Sequence, residues 1–368
     1  MRSKIKLYLQ AFDWPLLAAV VLLASFGLTE IYSVALGQGG ENILNFYKQL
    51  VFVGIGLLAL FVFTFIDYRF LKSISRYLYF FAIFILTAVL LVGSSIRGSR
   101  AWFDVAGFGV QPVEIVKILL LIFLSAYFAD LATKIKSLGH FIASAFLTAL
   151  LMFLVLLQPD FGSALMLGSI WLVLVVVVDF PKKYLFSVLS IFLLLSILAW
   201  SFFFQEYQKQ RILTFLNPGE NALAEGYNVS QAIIAVGSGS LYGKGVGFGS
   251  QSQLKFLPEA QTDFIFAVIA EELGFLGSSL LLLFFALFFS RCIVAIKRLP
   301  NDFSIYFILG AMGLIFIQMF INIGMNIGIV PVVGISLPFV SYGGSAIISL
   351  FILTGIIENI IIKSKINY

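Results

Sequence analysis

The sequence has little of what a water-soluble protein usually carries. Only 11% of its 368 residues are charged, against about 25% in soluble domains. It contains one cysteine, Cys292, and one histidine, His140. The single cysteine excludes an internal disulfide framework. The single histidine excludes a His-cluster metal site and, unless His140 itself serves, a Ser-His-Asp triad. Acid–base chemistry is therefore left to carboxylates or lysines.

Apolar residues dominate what is present. They make up 61% of the chain, and the mean hydropathy is +1.06. Apolar stretches near 20 residues long predict membrane-spanning helices, and ten of them predict an all-α integral membrane bundle with residues 1–368 as a single domain. The basic N-terminus precedes a span-length run without a small-residue cleavage site, so we expect a span there and no cleaved signal peptide. The candidate spans are about 15–35, 46–66, 77–95, 112–129, 140–157, 161–179, 184–204, 263–290, 303–327 and 343–362.

The distribution of basic residues predicts the orientation. An even number of spans puts both termini on one side, and if that side is the cytoplasm, inner segments hold fifteen of the 23 basic residues and outer segments six. The positive-inside rule therefore predicts cytoplasmic termini, and it explains the net charge of +5 without nucleic acid. Residues 205–262 then form a large external loop between spans seven and eight, too long for a simple connector.

Several acids accompany the start of the eighth predicted span. If Thr262 caps this helix, Asp263 lies in its first turn, at the outer membrane surface. Glu271 and Glu272 fall deeper, where an acid is neutral or bonded to a neighbouring helix, so we expect both to be structural. Asp263 is the acid that the pattern singles out for function.

Other spans also carry ionisable residues. Glu114 and Lys117 stand three residues apart, so they can pair on one helix face. The pair either makes both charges tolerable in the bundle, or Lys117 lines an outward-open cavity for an anion. Asp160 is expected to cap a helix. Asp179 and Glu358, at cytoplasmic span ends, are expected to be solvated.

Further cations are predicted on the outer side. Lys244 lies in the glycine-rich run GSGSLYGKGVGFGSQ, which is not a Walker A loop because Gly245 follows the lysine. Such a run is either a flexible loop or a backbone cradle for a phosphate. Together with Arg97, Arg100 and Arg211, Lys244 could complete a ring of cations for an anionic substrate.

Five motifs in order carry a resemblance to a known family. They are RGSRAWFDVAGFGVQPVEIVK, LLQPDFGSAL, RILTFLNP with GYNVSQAIIAVGSGSLYGKG, QSQLKFLPEAQTDFIFAVIAEELGF, and NIGIVPVVGISLPFVSYGGS. Over nearly its whole length the chain resembles the SEDS (shape, elongation, division and sporulation) family of ten-span peptidoglycan polymerases. GYNVSQ, GKG and QSQLKFLPE resemble the rod-shape elongation branch, RodA, more than the division branch, FtsW, or its sporulation relatives.

The resemblance implies an activity and partners. It implies a peptidoglycan glycosyltransferase of the cytoplasmic membrane that polymerises lipid II into glycan strands at the outer face. It also implies a class B penicillin-binding protein, a transpeptidase, as partner. The family's essential acid falls on Asp263, its Glu and Lys on Glu114 and Lys117, and its loop arginine on Arg100.

The implied chemistry gives these residues roles. Glycosyl transfer needs a base for the acceptor hydroxyl, and Asp263 is the candidate. Lys117, Arg100, Arg211 and Lys244 are candidates to stabilise the departing pyrophosphate. A divalent cation such as Mg²⁺ or Mn²⁺ at the pyrophosphate is left open, with no metal ligand assigned.

A stripe of small residues lies below Asp263 in the predicted helix. Ala267, Ala270 and Gly274 share one face with it. This face could admit the polyprenyl tail of lipid II, or it could let a neighbouring helix approach closely. Both interpretations remain open at the level of the sequence.

Two other functions fit a polytopic bundle with buried acids. A lipid-linked precursor flippase or secondary transporter would show inverted repeats and broken helices near the midplane, whereas Gly and Pro here cluster outside the predicted spans. A non-enzymatic scaffold that activates a partner transpeptidase is the third hypothesis.

Overall fold

The chain folds as a mostly helical bundle. A computed structural model describes residues 8, 10–38, 40–96, 98–105, 108–131, 137–188, 190, 209 and 225–366. Among these residues, eight helices are long and apolar enough to cross a membrane, and Phe161–Val177 is a shorter apolar helix. The protein is therefore a multi-pass membrane protein. These nine helices match nine of the ten predicted spans, while most of the predicted span 184–204 lies outside the described residues.

The elements are numbered here in chain order. The helices are α1 (Trp14–Gln38), α2 (Gly40–Phe65), α3 (Tyr68–Ser73), α4 (Ser75–Val92), α5 (Pro112–Leu131), α6 (Leu138–Leu156), α7 (Phe161–Val177), α8 (Glu225–Ser238), α9 (Ser250–Gln253), α10 (Ile265–Ile296), α11 (Asp302–Asn326) and α12 (Gly344–Ile366). The strands are β1 (Ser94–Ile96), β2 (Ser99–Val105) and β3 (Phe108–Val110).

A small antiparallel sheet corrects the all-α prediction. Strands β1, β2 and β3 are neighbours in that order, with Ser94 opposite Trp102 and Phe103 opposite Val110. The segment lies between two predicted spans, and its aromatic and β-branched residues favour a strand. Gly98, at φ +82°, supplies the left-handed conformation that the tight turn before β2 requires.

Helices α5 and α12 form the centre of the bundle. Within an apolar stretch of 18 residues in each helix, 83% of the residues are buried in α5 and 78% in α12. The corresponding share is 28% in α2, α4 and α6. The exposed faces of the outer helices are apolar, as lipid contact requires. The start of α5, which carries Glu114 and Lys117, therefore lies deep among the other helices.

The two ends of the described chain meet at one end of the bundle. Arg291 donates two hydrogen bonds to the Asp13 carboxylate, at 2.9 and 2.7 Å, and Lys365 donates to the carbonyl of Ala11 at 2.8 Å. Glu358 is fully buried and accepts the Asp13 amide at 3.2 Å, so the prediction that it is solvated was wrong. The N-terminal segment packs onto the last helix and covers this carboxylate. Asp179 is exposed, as predicted.

Helix α10 is broken at Gly274. This residue has φ 66° and ψ −160°, a conformation essentially limited to glycine. A Cβ at this position would lie 2.3 Å from the Gly243 nitrogen. The glycine-rich run predicted as a flexible loop or phosphate cradle packs against this break. The small-residue face is thus filled by the chain itself, which answers the choice between a lipid tail and close packing in favour of packing.

Main-chain hydrogen bonds join the glycine-rich run to both sides of the break. Lys244 N donates to the Glu271 carbonyl at 3.0 Å and Gly245 N to the Glu272 carbonyl at 2.9 Å. On the other side, Phe275 N donates to the Ser240 carbonyl at 2.9 Å. The run therefore satisfies helix groups that the break would leave unpaired. The expectation that glycine-associated breaks lie outside the spans was therefore wrong for α10.

Glu271 and Glu272 fasten the same run through their side chains. Glu271 accepts Lys244 Nζ at 2.8 Å and the main-chain amide of Ser252 at 3.1 Å. Glu272 accepts the main-chain amide of Gly247 at 3.0 Å and the hydroxyl of Ser33. Both carboxylates are fully buried. Their predicted structural role fits these contacts.

Candidate functional site

Asp263 lies just before α10 and not in its first turn. The helix begins at Ile265 with Phe264 as its cap residue, and the Thr262 hydroxyl donates to the Glu259 carboxylate at 2.9 Å. The predicted Thr262 cap is therefore wrong, because Thr262 bonds backwards along the chain. Asp263 is half-buried, and its Oδ2 lies 3.7 Å from the position of a Cβ on Gly334. The carboxylate thus faces the loop that precedes α12.

Three consecutive carbonyls hold the main chain at Asp263. Tyr342 N donates to the Gln261 carbonyl at 2.8 Å, and the Ser341 hydroxyl donates to the Thr262 carbonyl at 2.6 Å. The Asp263 carbonyl accepts two side-chain amides, from Asn322 and Asn326, each at 3.0 Å. Several hydrogen bonds to consecutive carbonyls fix one backbone position, so the main chain that carries the carboxylate is held in place.

A cavity of about 880 Å³ opens beside Asp263. Its wall combines the turn before β2, the starts of α5, α7 and α12, the middle of α11 and the loop 331–336. The polar side chains in the wall are Ser99, Gln111, Glu114, Lys117, Asp160, Ser163, Thr262, Asp263, Gln318, Ser336, Tyr342 and Ser345. A cavity of this size that gathers several polar groups is the default location of a ligand site.

Glu114 and Lys117 form the predicted ion pair in the wall of this cavity. The Lys117 ammonium lies 2.8 Å from Glu114 Oε2 and 2.9 Å from Oε1, and the Ser349 hydroxyl donates to Oε2 at 3.3 Å. Both residues are at least nine-tenths buried. The pair makes the two charges tolerable, as one interpretation predicted, and Lys117 also lines the cavity; that this cavity opens outward and takes an anion stays a prediction.

Asp160 caps α7 as predicted and belongs to the same wall. Its Oδ1 accepts the Ser163 amide at 2.9 Å, and its Oδ2 accepts the Ser163 hydroxyl at 2.7 Å. Gln111 Nε2 donates to Oδ2 at 3.0 Å, and the Gln111 amide donates to the Ser345 hydroxyl at 2.9 Å. Asp160 and Gln111 together therefore join the starts of α5, α7 and α12 at the cavity.

The predicted ring of cations does not form among the described residues. Arg100 is exposed on β2 and does not line the cavity. Lys244 is paired with Glu271 away from the cavity, and Arg97 and Arg211 lie outside the described residues. The described wall carries three carboxylates, Glu114, Asp160 and Asp263, and one ammonium, Lys117, a formal balance of −2.

Three polar residues of α11 were missed by the sequence analysis. Gln318, Asn322 and Asn326 recur every four residues and therefore share one helix face. Asn322 and Asn326 are fully buried, and Gln318 is 5% exposed. Polar side chains that repeat along one face of an apolar span are a usable signal, because they must bond inside the bundle.

The described residues offer hard oxygen donors for a divalent cation but no complete cage. No group of three or more His, Cys, Asp or Glu that could hold a metal occurs among them. Mg²⁺ typically takes one or two carboxylates together with substrate phosphates. Asp160, whose two oxygens are oriented by Gln111 and Ser163, fits such a ligand.

The chain matches one protein family over almost its full length. The model for the FtsW/RodA/SpoVE family, described as cell cycle protein, matches residues 13–366. Stage V sporulation protein E of Bacillus subtilis is 33% identical over 362 residues, which cover 95% of this chain and 96% of that protein. Peptidoglycan glycosyltransferase MrdB of Escherichia coli is 34% identical over 350 residues, covering 95% and 93%. A probable peptidoglycan glycosyltransferase FtsW of Coxiella burnetii is 32% identical over 362 residues, covering 96% of each chain.

Solved structures share the fold. A chain from work described as structural coordination of polymerization and crosslinking by a peptidoglycan synthase complex superposes with a TM-score of 0.82 at 30% identity, covering 96% of this chain and 98% of that chain. The rod shape determining protein RodA of Thermus thermophilus superposes with a TM-score of 0.72 at 28% identity, covering 95% and 96%.

Proposed function

The chain belongs to the FtsW/RodA/SpoVE family, and from that membership we propose that it is a peptidoglycan glycosyltransferase that polymerises lipid II. The observation that carries the proposal is the cavity that brings Asp263 together with Glu114 and Lys117. Glu114 and Lys117 lie near the start of α5, whereas Asp263 directly precedes α10, much further along the chain. One cavity that gathers an acid, an ion pair and hydroxyl groups is suited to a large polar headgroup.

Asp263 is the base in this proposal. Its carboxylate takes the proton from the acceptor sugar hydroxyl while the hydroxyl oxygen attacks the anomeric carbon of the donor. The bond from that carbon to the pyrophosphate oxygen breaks, and the pyrophosphate leaves with the electron pair. The bonded carbonyls of residues 261–263 keep the carboxylate in place, which is how positioning contributes to rate.

Among the described residues of the cavity wall, Lys117 is the cation that can bind the pyrophosphate. Its ammonium has three donors, and its contacts with Glu114 leave donor capacity for a phosphate oxygen. Because Glu114 already balances its charge, Lys117 acts here through directed hydrogen bonds. Arg100 and Arg211 remain proposals from the sequence as further pyrophosphate ligands; Arg100 does not line the described cavity, and Arg211 lies outside the described residues. Lys244, the third candidate from the sequence, is paired with Glu271 away from this cavity.

The −2 balance of the described wall favours an added positive charge. A divalent cation would supply it by binding both the pyrophosphate and Asp160. Such an ion neutralises charge on the leaving group when it is bound. We therefore keep Mg²⁺ or Mn²⁺ as part of the proposal, with Asp160 as the ligand that this chain provides.

The proposal also covers the orientation of the protein in the membrane and its partner protein. The distribution of basic residues supports cytoplasmic termini, so the cavity, at the opposite end of the bundle from Asp13 and Arg291, would open at the outer face of the cytoplasmic membrane. A class B penicillin-binding protein is the proposed partner, since the structural relative belongs to a complex that couples polymerization to crosslinking. The motif GYNVSQ and its companions support the elongation branch, while the 34% and 32% identities to MrdB and FtsW are nearly equal.

A second candidate function is translocation of the lipid-linked precursor. The break in α10 at Gly274 favours it, because discontinuous spans are common in transporters. Here, however, the break is filled by the chain's own glycine-rich run and not by a ligand-sized space.

Reconstitution separates the two candidates. The purified protein is mixed with labelled lipid II in detergent, where no membrane separates two sides, and glycan polymer is resolved by gel electrophoresis. A polymerase makes long products under these conditions. Absence of polymer, combined with movement of lipid II across sealed vesicles, would establish the transporter instead.

A further inference from the structure

Gln318 is a buried amide in the cavity wall whose hydrogen bonding is incomplete. It is 5% exposed, and its Oε1 has no hydrogen-bond partner within the described part of the chain. Buried polar atoms in folded proteins are almost always paired. Leaving a buried acceptor unpaired is costly, so we expect a bound group to supply its partner when the protein works.

The amide stands close to the groups that position Asp263. Asn322 follows Gln318 by one helical turn, about 6 Å along the axis of α11, and donates to the Asp263 carbonyl at 3.0 Å. Gln318 and Asp263 both line the same cavity. A group bound against Gln318 therefore lies roughly one sugar ring away from the segment that carries the proposed base.

The unpaired Gln318 Oε1 restricts which part of the substrate can bind there. It requires a hydrogen-bond donor, and neither an ionised pyrophosphate nor a polyprenyl chain carries one. Sugar hydroxyls and the N–H of an acetamido group do. The glutamine amide can also pair with an acetamido group in both directions, because it offers two N–H donors and a carbonyl, and the acetamido group offers one N–H and one carbonyl.

We propose that Gln318 is a sugar-contacting residue of the cavity, which hydrogen-bonds a hydroxyl or acetamido group of the substrate through its side-chain amide. This inference rests on the proposed function and deepens it, because it assigns a wall residue to the sugar portion of the substrate. Lys117 serves the pyrophosphate, and Gln318 serves the sugar. The division gives the cavity a means to distinguish a glycosylated lipid from its bare carrier.

Two probes test the assignment in the full-length, detergent-purified protein. One is lipid II, and the other is polyprenyl pyrophosphate without sugars; equilibrium binding is measured for both. Gln318→Met keeps the approximate volume of the side chain and removes the amide. We expect its Kd for lipid II to rise about tenfold, the effect of about 1.4 kcal/mol, and its Kd for the sugar-free probe to change less than twofold.

Thermal unfolding shows whether the Gln318 variants are still folded. Removing an unpaired buried amide should leave the midpoint unchanged or raise it, and Gln318→Leu provides a second apolar variant. Unchanged lipid II binding in both variants, or equal weakening for both probes, would overturn the assignment. If the wild-type protein does not prefer lipid II over the sugar-free carrier, the proposed substrate itself fails. A preference that survives in Gln318→Met instead defeats only the role of Gln318.

Discussion

Asn326 ties the segment before α10 to the end of α11 by two hydrogen bonds. Its Nδ2 donates to the Asp263 carbonyl at 3.0 Å, and its Oδ1 accepts the Ala267 amide at 3.0 Å. One side chain thus fixes the main chain at Asp263 and one of the first amides of the helix that follows. The same amide also donates to the Phe264 carbonyl at 3.0 Å, so Asn326 reinforces a helix start that the main chain already closes.

Loss of this link should impair catalysis more than binding. Asn326→Leu removes both hydrogen bonds with little change in volume, while Asn322 still holds the Asp263 carbonyl. We expect kcat for lipid II polymerisation to fall by about tenfold or more, because small displacements of a catalytic group are costly. The KM should change much less. A variant that folds and keeps the wild-type kcat would show that Asn326 has no positioning role.

The Glu114–Lys117 pair should behave as one unit in stability. Either single variant, Glu114→Gln or Lys117→Met, leaves a buried charge without its partner, at a cost of about 3–5 kcal/mol. The double variant removes both charges and should be no less stable than the worse single variant. Thermal unfolding in detergent gives the comparison, and additive losses would refute the coupling. Polymerisation should be lost in all three, since Lys117 lines the cavity.

Variants of Lys244 can show whether this residue stabilises the fold or binds the substrate. Its ammonium pairs with Glu271 at 2.8 Å, and Glu271 is fully buried. Lys244→Met should lower the unfolding midpoint, and Glu271→Gln in the same chain should restore part of the loss because the buried charge is gone. The Kd for lipid II should stay within about twofold of wild type in the folded double variant. A large loss of affinity there would return Lys244 to the pyrophosphate site that the sequence suggested.

The spans were predictable because they depend on length and hydropathy alone. Helices α5, α6 and α12 begin and end within a few residues of the predicted spans, since about 20 apolar residues can satisfy their backbone in lipid only as a helix. The break at Gly274 was not predictable in this way. It depends on main-chain bonds from Lys244 and Gly245, which are about thirty residues away in the sequence and leave no local pattern.

The charged part of the site was predictable and its neutral part was not. Asp263, Glu114 and Lys117 stand out because ionisable groups are rare in spans, and all three line one cavity. Asn322, Asn326 and Gln318 are neutral and common in loops, so only their spacing on α11 marks them. The cation ring failed for a further reason. Positive charges on outer loops need not converge, and Lys244 is used by Glu271.

The ion pair at the opposite end of the bundle predicts a specific pH dependence. Asp13 precedes the first span; burial acts to raise its pKa, but the hydrogen bonds and charge of Arg291, with Lys365, outweigh burial and lower the pKa. The stabilisation is therefore complete above the pKa of about 3.9 for an unfolded aspartate and is lost as the pH falls through the lower folded value. Wild-type stability should not vary with pH between 7 and 5 through this group.

Arg291→Gln should reverse the sign of that dependence. Without Arg291, burial is opposed only by Lys365 and the Leu16 amide, so we expect the folded pKa of Asp13 to rise above its unfolded value and protonation to stabilise the variant. We expect a lower midpoint than wild type at pH 7, by an amount equivalent to about 1–3 kcal/mol, and a smaller deficit at pH 5. A deficit that is the same at both pH values would contradict the role assigned to this pair.

The proposed base is tested most directly by polymerisation of labelled lipid II by Asp263→Asn, measured beside Glu259→Gln. Asparagine keeps the shape of Asp263 and cannot accept the proton, whereas Glu259 is exposed and lies outside the cavity wall, so its variant removes one nearby charge as a control. We predict no detectable polymer from Asp263→Asn, with wild-type unfolding and lipid II binding, and near wild-type polymer from Glu259→Gln. Polymer from Asp263→Asn at the wild-type rate would contradict the assignment of Asp263 as the base.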